Sequence, residues 1–152
     1  MGGAELLAAV KAFGAGAFVS DTAPIIYRVE RGADVRLVAA CDALFEAVEA
    51  EELGCLVSAV SVAELLMAPF RAGPAAVSAV DAFLRQPSLG IAEVDEVIAR
   101  TAAELVARER VGRLPDALIA ATGLGYGLPV VTGDRRLARS LGHGTFLVSD
   151  FR

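Results

Sequence analysis

The chain alternates short apolar runs with longer stretches in which apolar residues recur at helical spacing. The short runs are Ala17-Phe18-Val19-Ser20, Cys55-Leu56-Val57-Ser58, Leu89 to Val94, Pro129-Val130-Val131-Thr132 and Thr145-Phe146-Leu147-Val148. None alternates strictly between apolar and polar residues, which is the pattern of strands covered on both faces of a parallel sheet. Candidate helices fill the intervals. Gly2 to Gly16 reads as a short helix ending at Gly14. Thr22 to Arg31 holds Pro24 in its first turn, where a missing N–H costs little. Asp34 to Glu52 carries the stripe Val35, Val38, Cys41, Phe45 and Val48, and Gly54 ends it. Ser61 stands ahead of Glu64 in the S-x-x-E spacing of a capping box. Further helices are predicted over Ala75–Gln86, Asp95–Val111, Asp116 to about Leu124, and Asp134–Leu141. Strands alternating with helices imply βαβ units. The expected fold is α/β, a parallel sheet with helices on both faces.

The chain has 152 residues, of which 55% are hydrophobic, enough for one domain with a sizeable core. Its longest uncharged run, Ala117 to Gly133, is broken by Gly123, Gly125, Gly127 and Pro129. The N-terminus lacks the layout of a signal peptide. A soluble, cytoplasmic protein with no membrane partner is expected. Cys41 and Cys55 are too few for a disulfide framework and read as buried thiols.

Lys11 is the only Lys, His143 the only His, and Asn is absent. Net charge is −5, yet its distribution is uneven: residues 1–99 hold 6 basic and 14 acidic side chains, residues 100–152 hold 8 and 5. Such asymmetry is compatible with a local basic patch on an acidic protein.

Four acids stand at strand exits or in early helical turns. Asp21 follows the first strand directly. Asp134 follows the fourth across Gly133. Glu64 lies early in the helix after the second strand, and Asp116 follows Pro115 at a helix start. Sites in open parallel sheets form outside the carboxyl ends of the strands. Each acid also has a purely structural reading. Asp116 and Asp134 suit helix N-termini, Asp21 suits a cap, and Glu64 suits the box with Ser61. All four are bracketed by apolar residues, which places them near the core edge. Gathered there, they would repel and take up protons unless a cation neutralised them. Oxygen-only ligands suit Mg²⁺ or Mn²⁺, and one His with two scattered Cys speaks against structural zinc. Phosphodiester hydrolysis is the natural chemistry of such a cluster. Arg108, Arg110 and Arg113 precede Asp116, and Arg135, Arg136 and Arg139 follow Asp134. These are the candidate contacts to substrate phosphates.

Val19-Ser20-Asp21-Thr22, Ser61-Val62-Ala63-Glu64-Leu65, Leu114-Pro115-Asp116-Ala117-Leu118-Ile119-Ala120-Ala121 and Val131-Thr132-Gly133-Asp134 form an ordered set. In this set the chain resembles the PIN-domain ribonucleases, in particular the VapC-type toxins of bacterial toxin–antitoxin pairs. The resemblance begins near Phe18 and runs to the end of the chain. It implies a parallel five-stranded sheet between helices and Mg²⁺-dependent endoribonuclease activity, with Mn²⁺ as a possible substitute. It implies Asp21 and Asp116 as principal metal ligands. Glu64 is similar to the third acid, binding metal directly or through water, and Asp134 to the fourth, the least constant. Thr22 and Thr132 match supporting hydroxyls. The implied partners are RNA and a cognate antitoxin, in a homodimer or a heteromeric toxin–antitoxin complex. Residues 1–17 lie ahead of the usual start and read as an N-terminal extension, with residues 18–152 a single nuclease domain.

Other readings fit less well. An aspartyl-nucleophile phosphatase needs a second Asp where Ala23 stands. Gly123-Leu-Gly-Tyr-Gly127 lies between a helix and a strand, the reverse of the dinucleotide-binding order, and reads as a helix stop. A catalytically silent PIN-like scaffold would be signalled by loss of acids, and all four are present.

Overall fold

The computed structural model describes residues 2–152. Its strands are β1 (Ala17–Ser20), β2 (Gly54–Ser58), β3 (Leu89–Ala92), β4 (Val130–Thr132) and β5 (Thr145–Leu147). Its helices are α1 (Gly2–Ala12), α2 (Thr22–Glu30), α3 (Val35–Glu49), α4 (Ala59–Ala72), α5 (Pro74–Leu84), α6 (Glu96–Ala107), α7 (Leu114–Tyr126) and α8 (Arg135–Leu141). A short 3₁₀ turn, Val148–Phe151, follows β5. The strands pair in parallel in the order β3-β2-β1-β4-β5. The α/β fold that the apolar pattern predicts is the fold observed.

Successive strand residues face opposite sides of a sheet, and the core divides accordingly. Phe18, Cys55, Val57 and Val131 face a cluster that includes Leu6 and Val10 of α1, Ile25 of α2, Phe45 of α3, Leu65 of α4 and Phe83 of α5. Val19 and Val130 face Ile119 of α7 on the other side. There α6, α7 and α8 share an adjoining cluster through Ile98, Ala102, Leu105, Ala117, Ala120 and Leu137. Cys41 and Cys55 are buried free thiols, as expected. No helix among the described residues is long and apolar enough to cross a membrane.

Several boundaries differ from the sequence pattern. Helix α4 starts at Ala59, and its cap is Ser58, whose hydroxyl accepts the Val60 N–H. The capping box of Ser61 and Glu64 is therefore not formed. Ser58 still pairs with Ala92 in the sheet, so the chain leaves β2 extended and turns helical at once. Ser61 falls inside the helix and is fully buried. Strand β3 stops at Ala92, leaving Val94 exposed. Helix α6 stops at Ala107, before Glu109 adopts a left-handed backbone with φ of 55°. Helix α7 starts at Leu114, so Asp116 lies within its first turn.

Strand β1 connects outward to β2 and β3, whereas β4 and β5 lie on its other side. The sheet therefore changes winding direction between β1 and β4. In such sheets a crevice opens outside the carboxyl ends of the strands at that point.

Helix α7 reaches this sheet closely because its inner face is small. A Cβ added at Gly123 would lie 2.6 Å from Cγ2 of Val130, a branched side chain that cannot swing away. At Gly125, on the same helix, the nearest neighbour would be Ile98 Cγ1 at 3.9 Å. Gly125→Ala should raise the unfolding free energy by about 0.5–1 kcal/mol through helix propensity and a less free unfolded chain. Gly123→Ala gains the same propensity but overpacks the α7–β4 contact by about 1–3 kcal/mol, so its net effect is destabilising. Urea titrations of the two variants should show midpoints moving in opposite directions.

Candidate functional site

The register of β1 against β4 builds the site. Val19 pairs with Val130 and Ser20 with Val131, and the Asp21 N–H continues the ladder onto the Val131 carbonyl at 2.9 Å. Asp21 thus stands beside Thr132. The Thr132 hydroxyl donates to Asp21 Oδ2 at 2.7 Å, and the Thr22 N–H donates to Oδ1 at 2.7 Å, where Asp21 caps α2. Thr132 Oγ1 in turn accepts the Asp134 N–H at 2.9 Å. One buried hydroxyl therefore links the acid after β1 to the acid after β4.

Asp134 is also a helix cap. Its Oδ1 accepts the Arg136 N–H at 2.7 Å and the Leu137 N–H at 3.3 Å, opening α8. The helix-cap reading of this residue holds, and its backbone N–H ties it to Thr132. Glu64 is held differently from the sequence pattern. Its Oε1 accepts the Thr22 hydroxyl at 2.9 Å, so a residue of α2 fixes it. Asp116, half-buried, projects from the first turn of α7 after Pro115, which fits a first turn without loss of a hydrogen bond.

The four acids sense one another. Asp21 is buried, and burial is the largest cause that pushes its carboxyl above the usual carboxylate range. The Thr132 and Thr22 hydrogen bonds oppose that shift, and the charges of Glu64 and Asp134 add to it. Asp116 is likewise raised, first by burial and then by the charge of Asp21, with smaller contributions from Asp134 and Glu64. Arg113 is the one cation that pulls it back. Like charges disfavour ionisation at short range, and the mutual influence marks one electrostatic cluster. Among the described residues no group of three or more His, Cys, Asp or Glu is already set at metal-holding spacing.

A cavity of about 410 Å³ opens beside the acids, lined by Arg113, Asp116, Asp134, Arg135, Arg136 and Ser140 among others. The arginines divide here. Arg113, Arg135 and Arg136 share this cavity, whereas Arg108 pairs with Glu104 and Arg110 lines a separate depression with Leu105 and Leu124. His143 lies near Phe13, with ring centroids 6.2 Å apart, and does not join the acids. Cys41, pushed up to about 12 by burial, stays a thiol at neutral pH.

One neighbour of the site is not signalled by the sequence pattern. Gly133, between Thr132 and Asp134, packs against the hydroxyl of Tyr27 on α2 and against Ala23. The only local signal is a glycine where the chain must turn from strand to helix, with a small residue just after Asp21.

Comparison with known proteins adds the family. A model described as the PIN domain matches residues 19–140. Among solved structures, the chain is similar to FitAcB from Neisseria gonorrhoeae, at 23% identity and a TM-score of 0.65, over 87% of this chain and 98% of that one. It is similar to VapBC2 from Rickettsia felis bound to a DNA fragment from their promoter, at 17% identity and a TM-score of 0.62, over 86% and 96%. A toxin–antitoxin complex from Klebsiella pneumoniae matches at 17% identity and a TM-score of 0.61, over 86% and 97%. No curated protein matches by sequence. At these identities the structures speak for the fold, and the family model, which spans most of the chain, carries the assignment: the chain belongs to the PIN-domain family.

Proposed function

We propose that this chain is a Mg²⁺-dependent endoribonuclease, with Mn²⁺ as a working substitute, acting as the toxin of a toxin–antitoxin pair. The observation that carries the reading is the gathering of Asp21, Glu64, Asp116 and Asp134 around the β1–β4 crevice, near enough to raise the carboxyls of Asp21 and Asp116. A fold alone needs no such repulsion, and a catalytically silent scaffold has no use for it. Membership of the PIN-domain family supports a hydrolase.

The donor set fits a hard divalent cation. All four groups are carboxylates, and oxygen ligands suit Mg²⁺ and Mn²⁺. A carboxylate has about four acceptor positions. Each oxygen of Asp21 accepts one hydrogen bond, and Asp134 engages only Oδ1 among the described residues, so lone pairs remain for a cation. Asp21 and Asp116 would be the principal ligands, with Glu64 and Asp134 completing the set directly or through water. When bound, the cation supplies positive charge that polarises the phosphodiester and activates water. Thr22 and Thr132 hold Glu64 and Asp21 in place. Glu64 orients the attacking water and can take its proton. Arg113, Arg135 and Arg136 would receive RNA phosphates, a role supported by their sharing the adjoining cavity. Residues 18–152 act as the nuclease domain; ahead of it α1 packs onto the core through the buried Leu6 and Val10, and Ala17 already opens β1. One of the three similar structures is described as a toxin–antitoxin complex, which supports an antitoxin as the protein partner, in a homodimeric or heteromeric complex.

Two experiments test this reading. Purified protein incubated with total RNA should cleave it in Mg²⁺, and cleavage should stop in EDTA and in Asp21→Asn. Equal cleavage in all three conditions would refute the mechanism. The double variant Arg135→Ala/Arg136→Ala should cleave more weakly. Its log–log dependence of RNA affinity on salt should flatten by about 0.7 for each phosphate that the missing guanidinium groups no longer neutralise. An unchanged slope would place the RNA elsewhere.

A further inference from the structure

The hydroxyl of Tyr27 lies beside Gly133, between Thr132 and Asp134 of the candidate site, and has no part in the chemistry proposed for the four acids. Its ring packs against the core cluster on the α2 side of the sheet. Its hydroxyl emerges against Gly133. A Cβ at Gly133 would stand 2.9 Å from that oxygen and 3.0 Å from the Ala23 Cβ. Gly133 does not need glycine for its backbone, because it is not among the residues of positive φ. What it provides is room for the tyrosine hydroxyl beside the turn that carries Asp134.

That hydroxyl is a donor with nothing to donate to. No hydrogen bond from Tyr27 forms among the described residues, and both oxygens of the nearest acid, Asp21, already accept from Thr22 and Thr132. Burial, with smaller contributions from Cys41 and Asp21, raises its pKa, so the phenol stays protonated at neutral pH. It is uncharged and therefore does not compete with a cation for the carboxylates. The arginine cavity belongs to α7 and α8, on the opposite face of the sheet from α2. A strand of RNA laid across the crevice would meet Arg113, Arg135 and Arg136 from one side and Tyr27 from the other.

We propose that Tyr27 is a substrate-positioning residue, whose hydroxyl donates a hydrogen bond to a non-bridging phosphate oxygen of the RNA at the mouth of the β1–β4 crevice. The inference rests on the nuclease reading and gives that site a further substrate-binding group. Base stacking is not the role, because the ring packs against the core cluster. Gly133 is then the residue that keeps the donor at its post.

Tyr27→Phe removes the oxygen and keeps the ring. With a fluorescein-labelled, random-sequence single-stranded RNA and Mg²⁺, the variant should show KM raised about tenfold, the worth of a hydrogen bond to a charged group. The kcat should stay within about twofold, because the bond is present before and during reaction. The melting temperature should be unchanged. In an Asp116→Asn background the same RNA, followed by fluorescence anisotropy, should bind about tenfold more weakly when Tyr27→Phe is added. This arm needs no turnover. If wild type does not cleave but Tyr27→Phe still weakens binding, the nuclease reading falls and the hydrogen bond stands. If wild type cleaves and Tyr27→Phe leaves both KM and binding unchanged, the hydrogen bond falls alone. A drop in kcat that follows a drop in melting temperature would also overturn it, since the hydroxyl would then serve the fold.

Discussion

Two buried or half-buried carboxylates, Asp21 and Asp116, sit where charge is costly, and two more acids raise that cost. Desolvation is the first cause of both shifts, so the cost comes mainly from where the sheet puts these groups. Their neighbours soften it without removing it. Asp21 receives a backbone N–H and a threonine hydroxyl, and Asp116 has Arg113 nearby. A protein selected only for stability would replace such groups. Their presence together at one point of the fold fits the proposed cation site, which would give up stability for binding.

The rest of the architecture serves that placement. The winding reversal between β1 and β4 opens the crevice, and the parallel register sets Asp21 beside Thr132. Thr132 is fully buried and makes two hydrogen bonds, one to Asp21 and one from Asp134, so it couples the two strand exits. Small residues along α7 let that helix approach the sheet and carry Asp116 toward Asp21. On the opposite face α2 supplies Thr22 to hold Glu64 and Tyr27 to fill the space that Gly133 leaves.

The fold is legible in the sequence because its signals are redundant: apolar runs of strand length, helical stripes, and glycines or prolines between them. Asp21 and Asp116 are legible because strand exits and helix starts can be read from such runs. Asp134 carries two readings, of which the helix cap is directly visible in its hydrogen bonds. Glu64 is legible as an acid near the sheet, but its partner is not. Ser61 stands at capping-box spacing ahead of it, but the helix starts earlier, capped by Ser58, and Glu64 pairs instead with Thr22. The division of the arginines is invisible in the sequence, since Arg108, Arg110 and Arg113 are close along the chain and part only when the α6–α7 connection turns. Tyr27 is hidden for a similar reason. Its meeting with Gly133 joins two distant segments, and no local pattern encodes it.

On the proposed reading the carboxylate cluster binds a divalent cation that offsets its mutual repulsion. Titration calorimetry with Mn²⁺ tests it most directly, run at several pH values in buffers of different ionisation enthalpy. Because the Asp21 and Asp116 carboxyls lie above the usual range, the folded protein keeps protons there at mildly acidic pH that an ordinary carboxylate would have released. Mn²⁺ must displace them, so its apparent affinity should rise as pH rises through that window, with proton release that fades above it. Asp21→Asn should abolish the heat. Binding that is indifferent to pH and survives in Asp21→Asn, or no binding at all by the wild type, would contradict the claim.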